Sequence, residues 1–163
     1  MAGTTRYFAY GSNLDLEQME ERGITVKRSE LAELPGWRLA FTIYSSGWSG
    51  GVADIIPGGS DEKVEGVVYT ILKEDLNKLD HYEGREVKDN MEVGMYRRQY
   101  IPVRTAEGRE TVLTYVVNRA SDYKEKVELK PSKEYMAAII SGAQEHGLSD
   151  DYIKRLEHIE VRG

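Results

Sequence analysis

Cysteine is absent from the 163 residues, which excludes disulfides, a thiol nucleophile and thiolate metal sites. Histidine is scarce as well, at positions 81, 146 and 158. His146 and His158 have no Cys or His partner at metal-ligand spacing, so they read as surface or packing residues and no zinc site is expected. Basic charge is in deficit. Lys and Arg total 22 against 28 acidic residues, a net charge of −6, which leaves no electrostatic footprint for nucleic acid. No apolar run approaches the roughly 18 residues of a membrane helix, and the opening Met1 to Arg6 lacks the apolar core of a signal peptide. The expectation is a soluble, cytoplasmic protein with neither a nucleic-acid nor a membrane partner. Linkers, repeats and low-complexity segments are also missing, so residues 1–163 read as one domain.

Among aromatics, Phe and Trp are few, at two each, whereas Tyr occurs eleven times. A core that needs only bulk can use Phe; a buried Tyr must also satisfy its hydroxyl. Some of these rings are therefore expected to line a polar cavity, the others to lie half-exposed on strands.

The pattern along the chain is β first and α last. Arg6 to Tyr10 reads as a short strand broken by Gly11-Ser12-Asn13, and a helix follows through Arg22. Asp15 is placed to cap it, Gln18 stands in capping-box register, and Gly23 stops it. From Ser29 to Ile71 the signal is mainly β, with Pro35-Gly36 and Pro57-Gly58-Gly59 as turns. The strands Trp37 to Tyr44, Val52 to Ile56 and Val64 to Ile71 are expected as antiparallel neighbours. Leu72, Leu76 and Leu79 then mark a helix face, with Gly84 placed to end it and Glu83 in its last turn. Tyr96 to Arg104 and Glu110 to Asn118 form a predicted hairpin joined through Thr105 to Arg109. Pro131-Ser132 opens a helix closed by Gly147, and Ser149 caps another running from Asp150 to about His158. The fold class is α+β.

The Gly-Ser-Asn turn between strand and helix offers backbone N–H groups that suit a substrate carboxylate, or it serves geometry alone. It is not a phosphate loop, because no Lys or second Gly follows at the required spacing. Ser12 has no base specified nearby, so a serine-hydrolase triad is unsupported.

The string Tyr7-Phe8-Ala9-Tyr10-Gly11-Ser12-Asn13-Leu14 resembles the opening of the γ-glutamylcyclotransferase family. Gly50-Gly51-Val52-Ala53, Val64-Glu65-Gly66-Val67-Val68-Tyr69, Leu79-Asp80-His81-Tyr82-Glu83-Gly84 and Gly94-Met95-Tyr96 follow in the family's order. Ser141 to Leu148, with Tyr152 and Leu156, is similar to its C-terminal helical hairpin. The resemblance covers nearly the whole chain. It departs at Gly84 to Met95, which is longer than the corresponding segment of the vertebrate enzyme and puts the accepted amine in question.

The resemblance implies a small twisted mixed sheet approaching a barrel with peripheral helices, and an intramolecular reaction without water or cofactor. The α-amino group of a small γ-glutamyl compound attacks its own γ-carbonyl, closing 5-oxoproline and expelling an amine. It assigns the acid/base carboxylate to Glu83, pocket positions to Tyr96, Tyr115 and Tyr135, and substrate contacts to Tyr10, Gly11, Ser12 and Asn13. Strand or helix packing is the alternative for the three tyrosines. Elementary electrostatics agrees on Glu83: the negative end of a helix and burial among tyrosines both raise a carboxyl pKa. Asp80, one turn earlier, is expected to cap, to pair with Lys or Arg, or to orient the loop, and His81 to play at most a secondary part. Some relatives are dimers, a state this sequence neither supports nor excludes. Two alternatives stay open: a same-fold enzyme acting on a γ-glutamyl-attached biosynthetic intermediate, and a catalytically silent γ-glutamyl-binding module, against which the presence of Glu83 argues.

Overall fold

The computed structural model describes residues 3–119 and 128–163, so Met1 and Ala2, read above as the start of a segment without a signal core, lie outside the described residues. Strand β1 (Thr4–Ala9) leads through a 3₁₀ turn (Ser12–Leu14) into helix α1 (Leu16–Glu21). Four strands follow, β2 (Val26–Pro35), β3 (Trp37–Ser45), β4 (Gly50–Pro57) and β5 (Lys63–Leu72), then helix α2 (Leu76–Tyr82). A short hairpin of β6 (Val87–Lys88) and β7 (Met91–Glu92) precedes the long hairpin of β8 (Tyr96–Thr105) and β9 (Gly108–Val117). Helices α3 (Lys133–His146) and α4 (Asp150–Glu157) come last.

Five strands close a barrel in the order β1-β5-β2-β8-β9. All the pairings are antiparallel except the parallel contact of β1 with β9 at Tyr7 and Leu113, which shuts the cylinder. A closed sheet with helices outside matches the α+β expectation and leaves these five strands without a free edge. Val67, Tyr69 and Ile71 share one face of β5, Phe8 packs on the other face beside Gly66, and all four are fully buried.

One pairing differs from expectation. β3 and β4 are antiparallel neighbours, but β5 pairs with β1 and β2 rather than with β4. The residues from Val64 to Tyr69 are buried without a break, the mark of a strand with neighbours on both edges and packing on both faces. The β2–β5 ladder opens at Gly36: its N–H donates to the Glu62 carbonyl, while its carbonyl accepts from Gly58 N–H. The β3–β4 ribbon is thus inserted between two strands that pair with each other. The turn between β8 and β9 is also tighter than expected, two residues long, since Thr105 already pairs with Gly108.

The ends of the helices form as their capping residues dictate. Ser132 Oγ accepts from Tyr135 N–H and Ser149 Oγ from Tyr152 N–H, while Gly147 closes α3 with a left-handed φ of 81°. Gly142 lets α3 lie directly on the turn after β1, because a Cβ there would stand 2.4 Å from the Leu14 carbonyl carbon. The last helical pair therefore holds the first loop in place. Among the described residues no helix is long and apolar enough to cross a membrane.

Candidate active site

A cavity of about 190 Å³ opens beside the loop that follows β1. Glu83, Tyr10, Gly11, Ser12, Asn13, Tyr96, Tyr115 and Tyr135, named from the sequence, all contribute to its wall. They arrive from five different parts of the chain, and the barrel brings them together.

Glu83 is the C-cap residue of α2, directly after Tyr82, with φ −83° and ψ −2°. Gly84 follows at φ +67°, Gly84 N–H donates to the His81 carbonyl and Arg85 N–H to the Asp80 carbonyl. These two bonds make a Schellman cap, which needs the left-handed residue that glycine supplies without strain. The helix end thereby sets the position from which Glu83 reaches the cavity.

Its carboxylate is held by the loop. Asn13 Nδ2 donates to Glu83 Oε1 and to Tyr7 Oη, each at 3.0 Å. Asn13 Oδ1 accepts from Gln18 Nε2 at 3.0 Å and from Arg22 Nη1 at 2.9 Å. With two donors facing its oxygen and two acceptors facing its nitrogen, the Asn13 amide has one satisfied orientation. Gln18 also donates to Ser12 Oγ at 2.8 Å. The expected capping box is therefore not what Gln18 builds: Asp15 caps α1 by accepting from Glu17 N–H, while Gln18 turns back to brace the loop. Ser12 has an amide for a neighbour rather than a base, and an amide cannot activate a hydroxyl nucleophile.

Burial pushes the Glu83 carboxyl up to about 7, helped by the negative charge of Asp80 and opposed by the Arg22 charge and a hydrogen bond with Tyr7. The upward direction agrees with the sequence reading, and burial is the largest cause. Tyr7, Tyr10 and Tyr96 are raised well above the ordinary tyrosine value, chiefly by burial. They are neutral, hydrogen-bonding walls at physiological pH.

The hydroxyls are tied to the protein frame. Tyr10 donates to the Tyr115 carbonyl, Tyr96 to the Ala53 carbonyl and Tyr115 to Asp80 Oδ1. Tyr135 Oη accepts from Ala53 N–H at 2.8 Å. Ala53 is thus held through both its backbone groups, N–H by Tyr135 and C=O by Tyr96, which pins the β3–β4 ribbon to the cavity. Asp54, next along, is fully buried and accepts from Val117 N–H at 3.0 Å, tying the same ribbon to β9.

Asp80 does not join Glu83 as a second cavity carboxylate. Arg98 meets it twice, at 3.0 and 2.6 Å, and Arg85 once at 3.0 Å. Burial alone would raise Asp80, but the Arg98 and Tyr115 hydrogen bonds and the two arginine charges outweigh it and hold the carboxyl below its ordinary value. His81 lies on the rim, exposed. His146 Nε2 meets Tyr69 Oη at 3.0 Å behind the loop, a packing role, and the exposed His158 bonds its own helix. Among the described residues no cluster of three or more His, Asp or Glu is placed to hold a metal ion.

Residues 63–156 match the model of the AIG2-like family. The chain is 35% identical to the bovine (Bos taurus) γ-glutamylcyclotransferase and 36% identical to the human (Homo sapiens) one, in each case over 94% of this chain and 78% of the relative. The chain belongs to the AIG2-like, γ-glutamylcyclotransferase family. Its fold superimposes on a solved γ-glutamyl cyclotransferase with a TM-score of 0.81 at 33% identity, over 98% of this chain and 90% of the other. Within this family member the barrel and its outer helices are therefore a shared scaffold.

Sequence reasoning missed Tyr7, Gln18 and Arg22 as members of the site. Tyr7 carried a readable signal, since it precedes Tyr10 on the strand feeding the loop. Arg22 and Gln18 looked like ordinary helix residues, and their convergence on Asn13 is a tertiary event.

Proposed function

We propose that this chain cyclises γ-glutamyl amino acids or amines, releasing 5-oxoproline and the free amine, with Glu83 as the general acid and base. The observation that carries the reading is Glu83 itself: a carboxyl with a pKa of about 7, in a tyrosine-walled cavity, on a hydrogen-bonded mount. A group poised near the working pH can both take and return a proton.

The chemistry balances without a co-reactant. A bond forms between the α-nitrogen and the γ-carbonyl carbon, and the bond from that carbon to the amide nitrogen breaks. The α-ammonium loses two protons overall, the departing nitrogen gains two, and Glu83 relays between them. Nucleophile and electrophile share one molecule, so the aromatic walls act mainly by holding it in a folded conformer. Tyr10, Ser12 and Asn13 would meet the γ-glutamyl end, Gly11 leaving room beside them, and Tyr96, Tyr115 and Tyr135 would enclose it.

The test is incubation of the purified protein with γ-glutamyl-alanine, γ-glutamyl-α-aminobutyrate, γ-glutamyl-lysine and glutathione, with 5-oxoproline followed by mass spectrometry beside Glu83→Gln. Product from the wild type and not from the variant supports the reading and ranks the substrates. Absence of product from every substrate sinks it.

A further inference from the structure

We propose that Arg162 is a positioning residue for substrate binding: from the segment that follows α4 it fastens the β3–β4 turn, and with it the Trp48 wall of the cavity. The inference rests on the cyclotransferase reading and adds to it a wall residue and the side chain that holds that wall.

Trp48 lies in the turn between Ser45 and Gly50 and lines the same cavity as Glu83. Its ring meets that of Tyr135 edge-on, with centroids 5.0 Å apart and planes at 65°. The β3–β4 ribbon is a two-stranded sheet outside the barrel, and such a ribbon needs outside support to keep a fixed place. Just past the turn it has that support. Gly51 N–H donates to the Lys130 carbonyl at 3.0 Å, and Gly50 lies so close to Ser132 that a Cβ would stand 2.7 Å from its backbone nitrogen. The turn itself carries a local cost, because Ser49 has φ 58°, a left-handed conformation that a side chain disfavours. Such a residue persists where its surroundings over-determine it.

Arg162 supplies a contact at that residue. Its Nη1 donates to the Ser49 carbonyl at 2.7 Å, and its guanidinium lies 5.7 Å from the centre of the Tyr44 ring on β3. A charged donor makes a stronger bond to a carbonyl than a neutral one. The base of this side chain is fixed independently: Arg162 N–H donates to the Pro131 carbonyl at 3.0 Å, Lys130 Nζ meets Glu160 at 2.9 Å, and Ile159 and Val161 pack against the core. The same Pro131-Ser132 step opens α3, whose Tyr135 N–H donates to Ser132 Oγ. Arg162 and Tyr135 are thus registered to one backbone step, and Trp48 is held between the turn that the first fastens and the ring that the second presents. Glu83 is mounted elsewhere, on the end of α2 and on Asn13. Release of Trp48 therefore lowers the fraction of molecules competent to bind and leaves proton transfer in the bound ones unchanged.

The deciding experiment measures turnover of γ-glutamyl-alanine by the wild type, Arg162→Met and Arg162→Lys. Arg162→Met should raise KM by about 3- to 10-fold, the worth of one hydrogen bond from a charged donor, with kcat within about twofold of the wild type. Arg162→Lys keeps a charged donor for the Ser49 carbonyl and should restore most of the loss. In a Trp48→Ala background, or Trp48→Leu if that variant does not fold, Arg162→Met should add no further rise in KM, since the wall it positions is gone. A second readout needs no turnover. With Trp37→Phe, Trp48 is the single tryptophan, and Arg162→Met should then increase acrylamide quenching of its fluorescence by about twofold and shift its emission to the red. A fall in kcat at unchanged KM, a KM rise that persists in full without Trp48, or unchanged quenching would each overturn the proposal. Absence of turnover in the wild type sinks the cyclotransferase reading instead, and the quenching contrast still decides whether Arg162 holds Trp48.

Discussion

Asp80 and Glu83 stand three residues apart on one short helix, and the protein drives them in opposite directions. Asp80 points into a cluster of Arg85, Arg98 and the Tyr115 hydroxyl, which holds its carboxyl below the ordinary value despite burial. Glu83 points into a cavity of aromatic rings, where burial pushes it up to about 7 against a single opposing arginine. Proximity on the helix is the same for both; what differs is the number of donors each one meets. The comparison teaches that a buried carboxyl with few donors is driven up towards neutral pH, whereas one given arginines is held down as a structural anchor.

The largest expected effect separates the two directly. Glu83→Gln should lower kcat by about 10²- to 10⁴-fold, the range for losing a positioned acid/base, with the folded state intact by circular dichroism. Asp80→Asn should act on stability instead, costing about 2–4 kcal/mol in denaturant unfolding, because it leaves Arg98 and Arg85 facing a neutral amide. It also removes a negative charge that raises Glu83, so the acid limb of kcat/KM, expected near pH 7 in the wild type, should move to lower pH.

The stability of the protein against pH sharpens the contrast further. The folded pKa of Glu83 is raised, from 4.5 to about 7, so between those values the native state binds more protons than the unfolded one. Its contribution is full below the unfolded value and is lost as pH rises through the folded one. Glu83→Gln should therefore gain on the wild type by about 1–3 kcal/mol as pH goes from 5 to 8, measured by thermal unfolding at each pH. Asp80 is depressed and works with the opposite sign: its contribution is present above its unfolded value of 3.8 and is lost as pH falls further, a dependence that Asp80→Asn should remove. The smallest effect is expected of Tyr7→Phe, at about 1 kcal/mol of stability for the lost hydrogen bonds. Because the Tyr7 hydroxyl lowers Glu83, its removal should move the acid limb to higher pH, opposite to Asp80→Asn. A shift in the same direction for both variants would break the comparison.

Much of this was legible locally. Capping residues at Asp15, Ser132 and Ser149 and stops at Gly23, Gly84 and Gly147 mark the helices, because capping is a matter of a few adjacent backbone groups. The loop and Glu83 were legible through the order of motifs along the chain. The pairing of β5 was not: continuous burial from Val64 to Tyr69 marks a strand with two neighbours but does not say which. Gln18 was read as a cap because its spacing from Asp15 allows that, and its actual partners, Ser12 and Asn13, compete for the same side chain.

The sequence by itself determined the element types, their ends, the strand-to-helix loop and the placing of a carboxylate at a glycine-terminated helix end, since each depends on interactions a few residues long. Only the tertiary structure decided that β1, β5, β2, β8 and β9 close into a barrel, that Asn13 meets Glu83, and that Asp80 rather than Glu83 receives the arginines. Those outcomes set the chemistry, because a pKa depends on burial and on charges brought from distant parts of the chain, here Arg22 and Arg98, and no local pattern contains that sum.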